Sequence, residues 1–86
     1  MPERTVVVAS SVGLHARPAA LFSQAAAQAT LPVTLTTASG RTVNAASILG
    51  VLSLGIDHGE RVTLASDDTA TLDALVEMLE RDLDLE

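Results

Sequence analysis

Runs, alternations and helical spacings of hydrophobic residues divide this chain into seven short elements. Thr5 to Ala9 is a β-branched run closed by Ser10-Ser11 and Gly13, which predicts a strand. Ala16 to about Ala29 is an alanine-rich run of helix formers. Pro18 falls in its first turn, where the missing N–H has no intrahelical partner to lose, and Leu31-Pro32 ends it. Val33 to Thr36 alternates with period two, and Ser39-Gly40 offers a hairpin turn into Arg41-Thr42-Val43. Ile48 to Gly55 has a length that suits a buried strand or a short helix. Ser47 in front supplies an N-cap and Gly55 behind a stop, which selects the helix. Glu60 to Ala65 alternates around Val62 and Leu64 as a fourth strand. Asp67 and Asp68 then cap a last helix in which Leu72, Leu75, Val76, Leu79 and Leu83 make one apolar stripe.

The order is βαββαβα, with no repeat, linker or low-complexity tail, and it predicts a single domain over residues 1–86. The expected class is α+β: a two-layer open-faced sandwich, with a four-stranded antiparallel sheet and three helices on one face. Such a topology says nothing of function by itself.

Composition narrows the chemistry. No cysteine is present among the 86 residues, so neither disulfides nor thiolate metal sites support the fold. The core is Ala, Val, Leu and Ile with Phe22 as the only aromatic, and a net stability of about 5 kcal/mol is expected of it. There is also no lysine, which removes a Schiff-base nucleophile, a phosphate-loop lysine and a kinase-type ATP lysine together. A formal charge of -6 argues against a nucleic-acid partner. That charge is uneven. Residues 1–44 carry three arginines against Glu3 alone, a net of +2, whereas residues 45–86 carry ten acids against Arg61 and Arg81, a net of -8. The apolar run Val6 to Ala9 is too short for a signal peptide and no run approaches a membrane span, so a cytoplasmic protein without direct membrane insertion is expected.

The segment Gly13-Leu14-His15-Ala16-Arg17-Pro18-Ala19 carries the chemistry. His15 stands between a glycine-led loop and a helix start, where the backbone N–H groups of Ala16 and Arg17 lack helical partners and the helix dipole favours an anion. Arg17 adds a permanent cation. Positive surroundings keep the imidazole neutral and nucleophilic, and the same donors can hold the phosphorylated ring, since phosphoryl transfer needs chiefly position and charge stabilisation. A lone histidine at a helix start is usually only a cap or a surface residue; glycine two before, arginine two after and proline three after set His15 apart. His58, in a turn between Gly55 and Gly59, reads as a solvated loop residue.

Gly-Leu-His-Ala-Arg-Pro-Ala resembles the phosphohistidine signature of the HPr family, the phosphocarriers of the phosphoenolpyruvate-dependent sugar phosphotransferase system. Ala46-Ser47-Ile48-Leu49-Gly50-Val51-Leu52-Ser53-Leu54-Gly55 is similar to that family's second signature, around its regulatory serine. The resemblance implies that His15 accepts a phosphoryl group on Nδ1 from enzyme I and donates it to enzyme IIA domains, with Arg17 contacting the phosphate. It implies a carrier rather than an enzyme, a monomer, and no cofactor or metal. It implies that Ser47 is the site of a regulatory serine kinase and phosphatase, with a transcriptional regulator as a further partner. Ala20, Leu21, Gln24, Ile48, Leu49 and Leu52 fall where the family presents its docking surface, although the apolar ones also suit a core. Members of the family often carry basic residues where this chain has Gln24, Gln28 and Ala45-Ala46, so docking here should lean on apolar contact and Arg17. Two other readings use the same residues: a carrier in a nitrogen-type or dihydroxyacetone-kinase regulatory relay through His15, and a non-catalytic regulatory module acting through Ser47.

Overall fold

The computed structural model describes residues 2–9, 13–14 and 16–81. Seven elements follow in the expected order: β1 (Glu3–Val7), α1 (Ala16–Ala27), β2 (Thr34–Thr37), β3 (Thr42–Asn44), α2 (Ile48–Ser53), β4 (Arg61–Ala65) and α3 (Thr69–Glu80). The strands form one antiparallel sheet in the order β1-β4-β2-β3, so the last strand of the chain pairs between the first and the second. The sheet and its three helices make the α+β open-faced sandwich expected from the sequence.

One face of the sheet is dry. Val6, Leu35, Val62 and Leu64 point into it and meet Phe22 from α1, Val51 from α2 and Leu72, Leu75 and Leu79 from α3, all of them buried. The sequence stripe of α3 is this buried face; Leu83, its last expected member, lies outside the described residues. The other face explains the many threonines. Thr5 stands opposite Thr63, Thr63 opposite Thr36, and Thr36 opposite Thr42, giving one row across all four strands. Its hydroxyls pair at 3.3 Å between Thr5 and Thr63 and at 2.9 Å between Thr36 and Thr42. An antiparallel sheet can face water on such a side, because β-branched polar residues keep strand propensity without demanding burial.

Most boundaries shift by one or two residues from the sequence reading, and those of β1 and α1 have evident causes. β1 starts at Glu3, two residues before the β-branched run, because its antiparallel partner β4 extends to Ala65 and pairs it with Glu3. Val8 and Ala9 have left that ladder, yet Val8 N–H still donates to Glu60 O at 3.0 Å and Ala9 N–H to Leu79 O at 2.8 Å. α1 closes at Ala27, where the N–H groups of Gln28 and Ala29 turn to the carbonyls three residues back, tightening the last turn.

Asp68 joins two parts of the chain. Its Oδ1 accepts from Thr71 N–H at 3.2 Å as the N-cap of α3, while Oδ2 accepts from Thr30 N–H at 2.9 Å and from the hydroxyls of Thr30 and Thr71. The Thr30 amide foremost, then Thr71, holds this carboxyl below the usual aspartate range.

Candidate functional site

Gly13 and Leu14 deliver the chain to the start of α1. Gly13 has φ 71°, a left-handed conformation that glycine adopts without penalty. It also lies against the 56–57 backbone: a Cβ at this position would come within 2.7 Å of Asp57 Cα and closer still to Ile56 O. Leu14 N–H donates to Ile56 O at 2.9 Å, and the Leu14 side chain is fully buried. On the other side of position 15, α1 begins at Ala16, with Pro18 buried in its first turn. His15 itself lies outside the described residues. What is placed are its two flanks: a loop pinned to Ile56 and a helix start whose first amides lack intrahelical carbonyls.

Arg17 is exposed and has no hydrogen-bond or ion-pair partner among the described residues. Arg4, by contrast, is engaged with Asp73 at 3.2 Å. His58 is exposed in the turn that follows Ile56, as its flanking glycines suggest.

Ser47 is the N-cap of α2. Its Oγ accepts from Gly50 N–H at 3.1 Å, and its backbone, at φ -94° and ψ 108°, is extended as a cap requires. Gly55 closes the helix region with φ 60°. The faces of α2 are then separated. Val51 is fully buried, while Ile48, Leu49 and Leu52 are 40%, 78% and 37% exposed. Of the two readings open for those three residues, exposure wins over core. Gln24 is exposed on α1, and Ala20 and Leu21 are half-buried there.

Between α1 and the start of α2 lies an open cavity of about 210 Å³, lined by Ala20, Ser23, Gln24, Ala27, Ala46 and Ile48. Ser23 is only 4% exposed, and its hydroxyl is without a hydrogen-bond partner among the described residues. An orphan hydroxyl of this kind generally costs about 1–3 kcal/mol. Ser23, Ala27 and Ala46 were missed by the sequence reading. The signal was present for two of them, since 20, 23, 24 and 27 follow the i, i+3, i+4, i+7 spacing of one helix face. No group of three or more His, Cys, Asp or Glu able to hold a metal exists among the described residues, and no helix there is long and apolar enough to cross a membrane.

This arrangement has known counterparts. The family model for the PTS HPr component phosphorylation site matches residues 2–81. The chain belongs to the HPr family. It is similar to the phosphocarrier protein HPr of Streptomyces coelicolor, 54% identical over 67 residues, covering 78% of this chain and 72% of that one. It is also similar to an HPr-like protein, Crh, of Halalkalibacterium halodurans, 39% identical over 95% of this chain and all of the relative. Among solved structures, HPr from Thermoanaerobacter tengcongensis superposes with a TM-score of 0.87 at 38% identity, over 93% of this chain and 92% of that chain. A dimeric form of HPr from the same organism gives 0.71 at 38% identity, over 93% and 94%. HPr proteins are phosphocarriers of the phosphotransferase system and not enzymes, as the sequence reading expected of this chain.

Proposed function

We propose that this HPr-family chain accepts a phosphoryl group on His15 Nδ1 from phosphorylated enzyme I and donates it to enzyme IIA domains. The observation that supports this most is the pinned approach to position 15: Gly13 packed on the 56–57 backbone, Leu14 bonded to Ile56, and a helix starting at Ala16 with the exposed Arg17 in its first turn. An in-line attack needs a nucleophile held in place and donors for the equatorial oxygens, and a loop fastened on both sides supplies the first. Backbone N–H groups of Ala16 and Arg17 and the Arg17 guanidinium supply the second. A carrier fed by phosphoenolpyruvate works in the cytoplasm, where that donor is made. It acts as a monomer in this reading, and sedimentation at working concentration separates that from a dimer like the relative's.

The test is reconstitution. With enzyme I, phosphoenolpyruvate and an enzyme IIA domain, phosphorylation of the IIA domain should require this chain, and Arg17→Ala should slow transfer by about 10–100-fold, as loss of a charge-stabilising donor does. Its melting temperature should hold, since a substitution at an exposed position such as this changes stability by no more than about 0.5 kcal/mol. Equal transfer rates for parent and variant, with partners saturating, would reduce Arg17 to a bystander. A IIA domain that stays unphosphorylated, while the chain itself is labelled, would favour the regulatory relay instead.

Ser47 is proposed as a regulatory phosphorylation site for a serine kinase. Its hydroxyl is exposed at a helix start beside Ile48, Leu49 and Leu52. A negative charge there suits the first turn of α2 but opposes burial against a partner. Ser47→Asp should therefore leave the melting temperature unchanged or slightly raised while raising the KM for phosphorylation by enzyme I several-fold. The effect should fall on KM and spare kcat, because the chemistry at His15 is untouched. A variant phosphorylated as readily as the parent at limiting concentration would leave Ser47 as a cap only.

A further inference from the structure

We propose that Glu60 is a positioning residue for phosphoryl transfer: by closing the turn formed by residues 57–60, it holds both ends of the loop that presents His15. This inference rests on the reading of His15 as the phosphoryl acceptor. Glu60 acts through the backbone of that turn and not on the phosphoryl group itself.

The chain leaves the sheet at Val8 and reaches the start of α1 through Gly13 and Leu14. One short segment, residues 56–60, bonds to both points. On the incoming side, Val8 N–H donates to Glu60 O at 3.0 Å and Gly59 N–H donates to Val8 O at 2.8 Å. Two residues of the turn thus oppose one residue beyond β1, the arrangement of a β-bulge, a device that re-aims the chain beside active sites. On the outgoing side, Leu14 N–H donates to Ile56 O at 2.9 Å, and Gly13 packs on the 56–57 backbone. Ile56 is fully buried, so this second anchor is fixed to the core.

The spacing of the two anchors is set by the turn between them, and Glu60 closes that turn twice. Its N–H donates to Asp57 O at 3.1 Å, with Gly59 at φ 81° in the third place, where a type II turn needs a left-handed residue. Its carboxylate then reaches back and accepts from Asp57 N–H at 3.4 Å. Asp57 is the residue on which Gly13 packs, so a bond that fixes the Asp57 amide also fixes the seat of the loop. Residues 56–60 lie outside the exposed apolar patch of Ile48, Leu49 and Leu52. Loosening the turn should therefore slow the transfer step, which depends on in-line geometry, and leave partner affinity alone.

Two variants and one partner, phosphorylated enzyme I, test this by single-turnover transfer. Glu60→Ala should lower the maximal rate by about three- to tenfold, the weight of one hydrogen bond, at an unchanged half-saturating concentration. Glu60→Gln, whose amide oxygen can still accept from Asp57 N–H, should stay within about twofold of the parent. Amide hydrogen exchange reads the same turn without the chemistry. In Glu60→Ala the Leu14 and Gly59 amides should exchange faster relative to Leu64, in the central strand β4, which a general loss of folding would not reproduce. A parental rate for Glu60→Ala, an equal loss in Glu60→Gln, or a change confined to the half-saturating concentration would overturn the proposal while leaving the carrier function standing. Failure of the unmodified chain to take a phosphoryl group from enzyme I would instead remove the reading of His15, and this inference with it.

Discussion

Gly13→Ala should lower the melting temperature by about 12–24 °C, the equivalent of roughly 3 kcal/mol in a domain of this size. Two effects add. A non-glycine residue at φ 71° carries strain of about 1–3 kcal/mol. The new Cβ also meets Ile56 O and the Asp57 backbone, with Asp57 Cα at 2.7 Å, and backbone cannot step aside as a flexible side chain can. Relief would require the loop to lift, breaking the Leu14 N–H to Ile56 O bond and withdrawing the Leu14 side chain from the core. Transfer should therefore fall even at temperatures where the variant is folded. Gly40→Ala is the control. Gly40 has φ 95° in the β2–β3 turn and nothing within 4 Å of a built Cβ, so only the strain remains. Thermal melts of the two variants decide the matter, and equal losses would show that close approach to residues 56–57 is not what requires glycine at position 13.

Phe22→Ala should remove most of the folding free energy. Phe22 is fully buried at the centre of α1 and is the only aromatic residue in the chain. Truncating a buried phenylalanine costs about 3–5 kcal/mol, against a total of about 5 kcal/mol expected for a domain this small. Urea titration should find the variant at the edge of cooperative unfolding even without denaturant. Leu49→Ala makes the opposite case. At 78% exposed, Leu49 should be dispensable for folding, with a denaturation midpoint close to the parent's, while the KM toward enzyme I rises. A Phe22→Ala variant as stable as the parent would contradict the core described here.

The existence and order of all seven elements were legible in the sequence, because each carries its own periodicity and its own stop signal. Boundaries were less so, and β1 shows why: Glu3 and Arg4 have no strand signal, and it is the reach of β4, sixty residues on, that places Glu3 in the ladder. The partition of α2 was not legible. Ile48, Leu49, Val51 and Leu52 are apolar on nearly every side, so the pattern has no contrast, and only packing under α1 and the sheet decides that Val51 is buried and the others exposed. The cavity escaped for a related reason. Its alanines satisfy helix propensity equally well whether they cover a surface or leave a hole, and volume left unfilled has no signature in composition. The candidate site stood out in the sequence from Gly13 to Pro18 because glycine, arginine and proline each answer a separate physical demand there. The structure places all of that segment except His15.

The central claim is that His15 carries the phosphoryl group, and mapping that group tests it most directly. The chain is incubated with enzyme I and labelled phosphoenolpyruvate, and the position and acid lability of the label are determined for the parent and for His15→Ala. A single acid-labile phosphoryl group on His15 is expected, absent from a His15→Ala variant that melts within a few degrees of the parent. Label retained by that variant, at His58 or at any other residue, would contradict it.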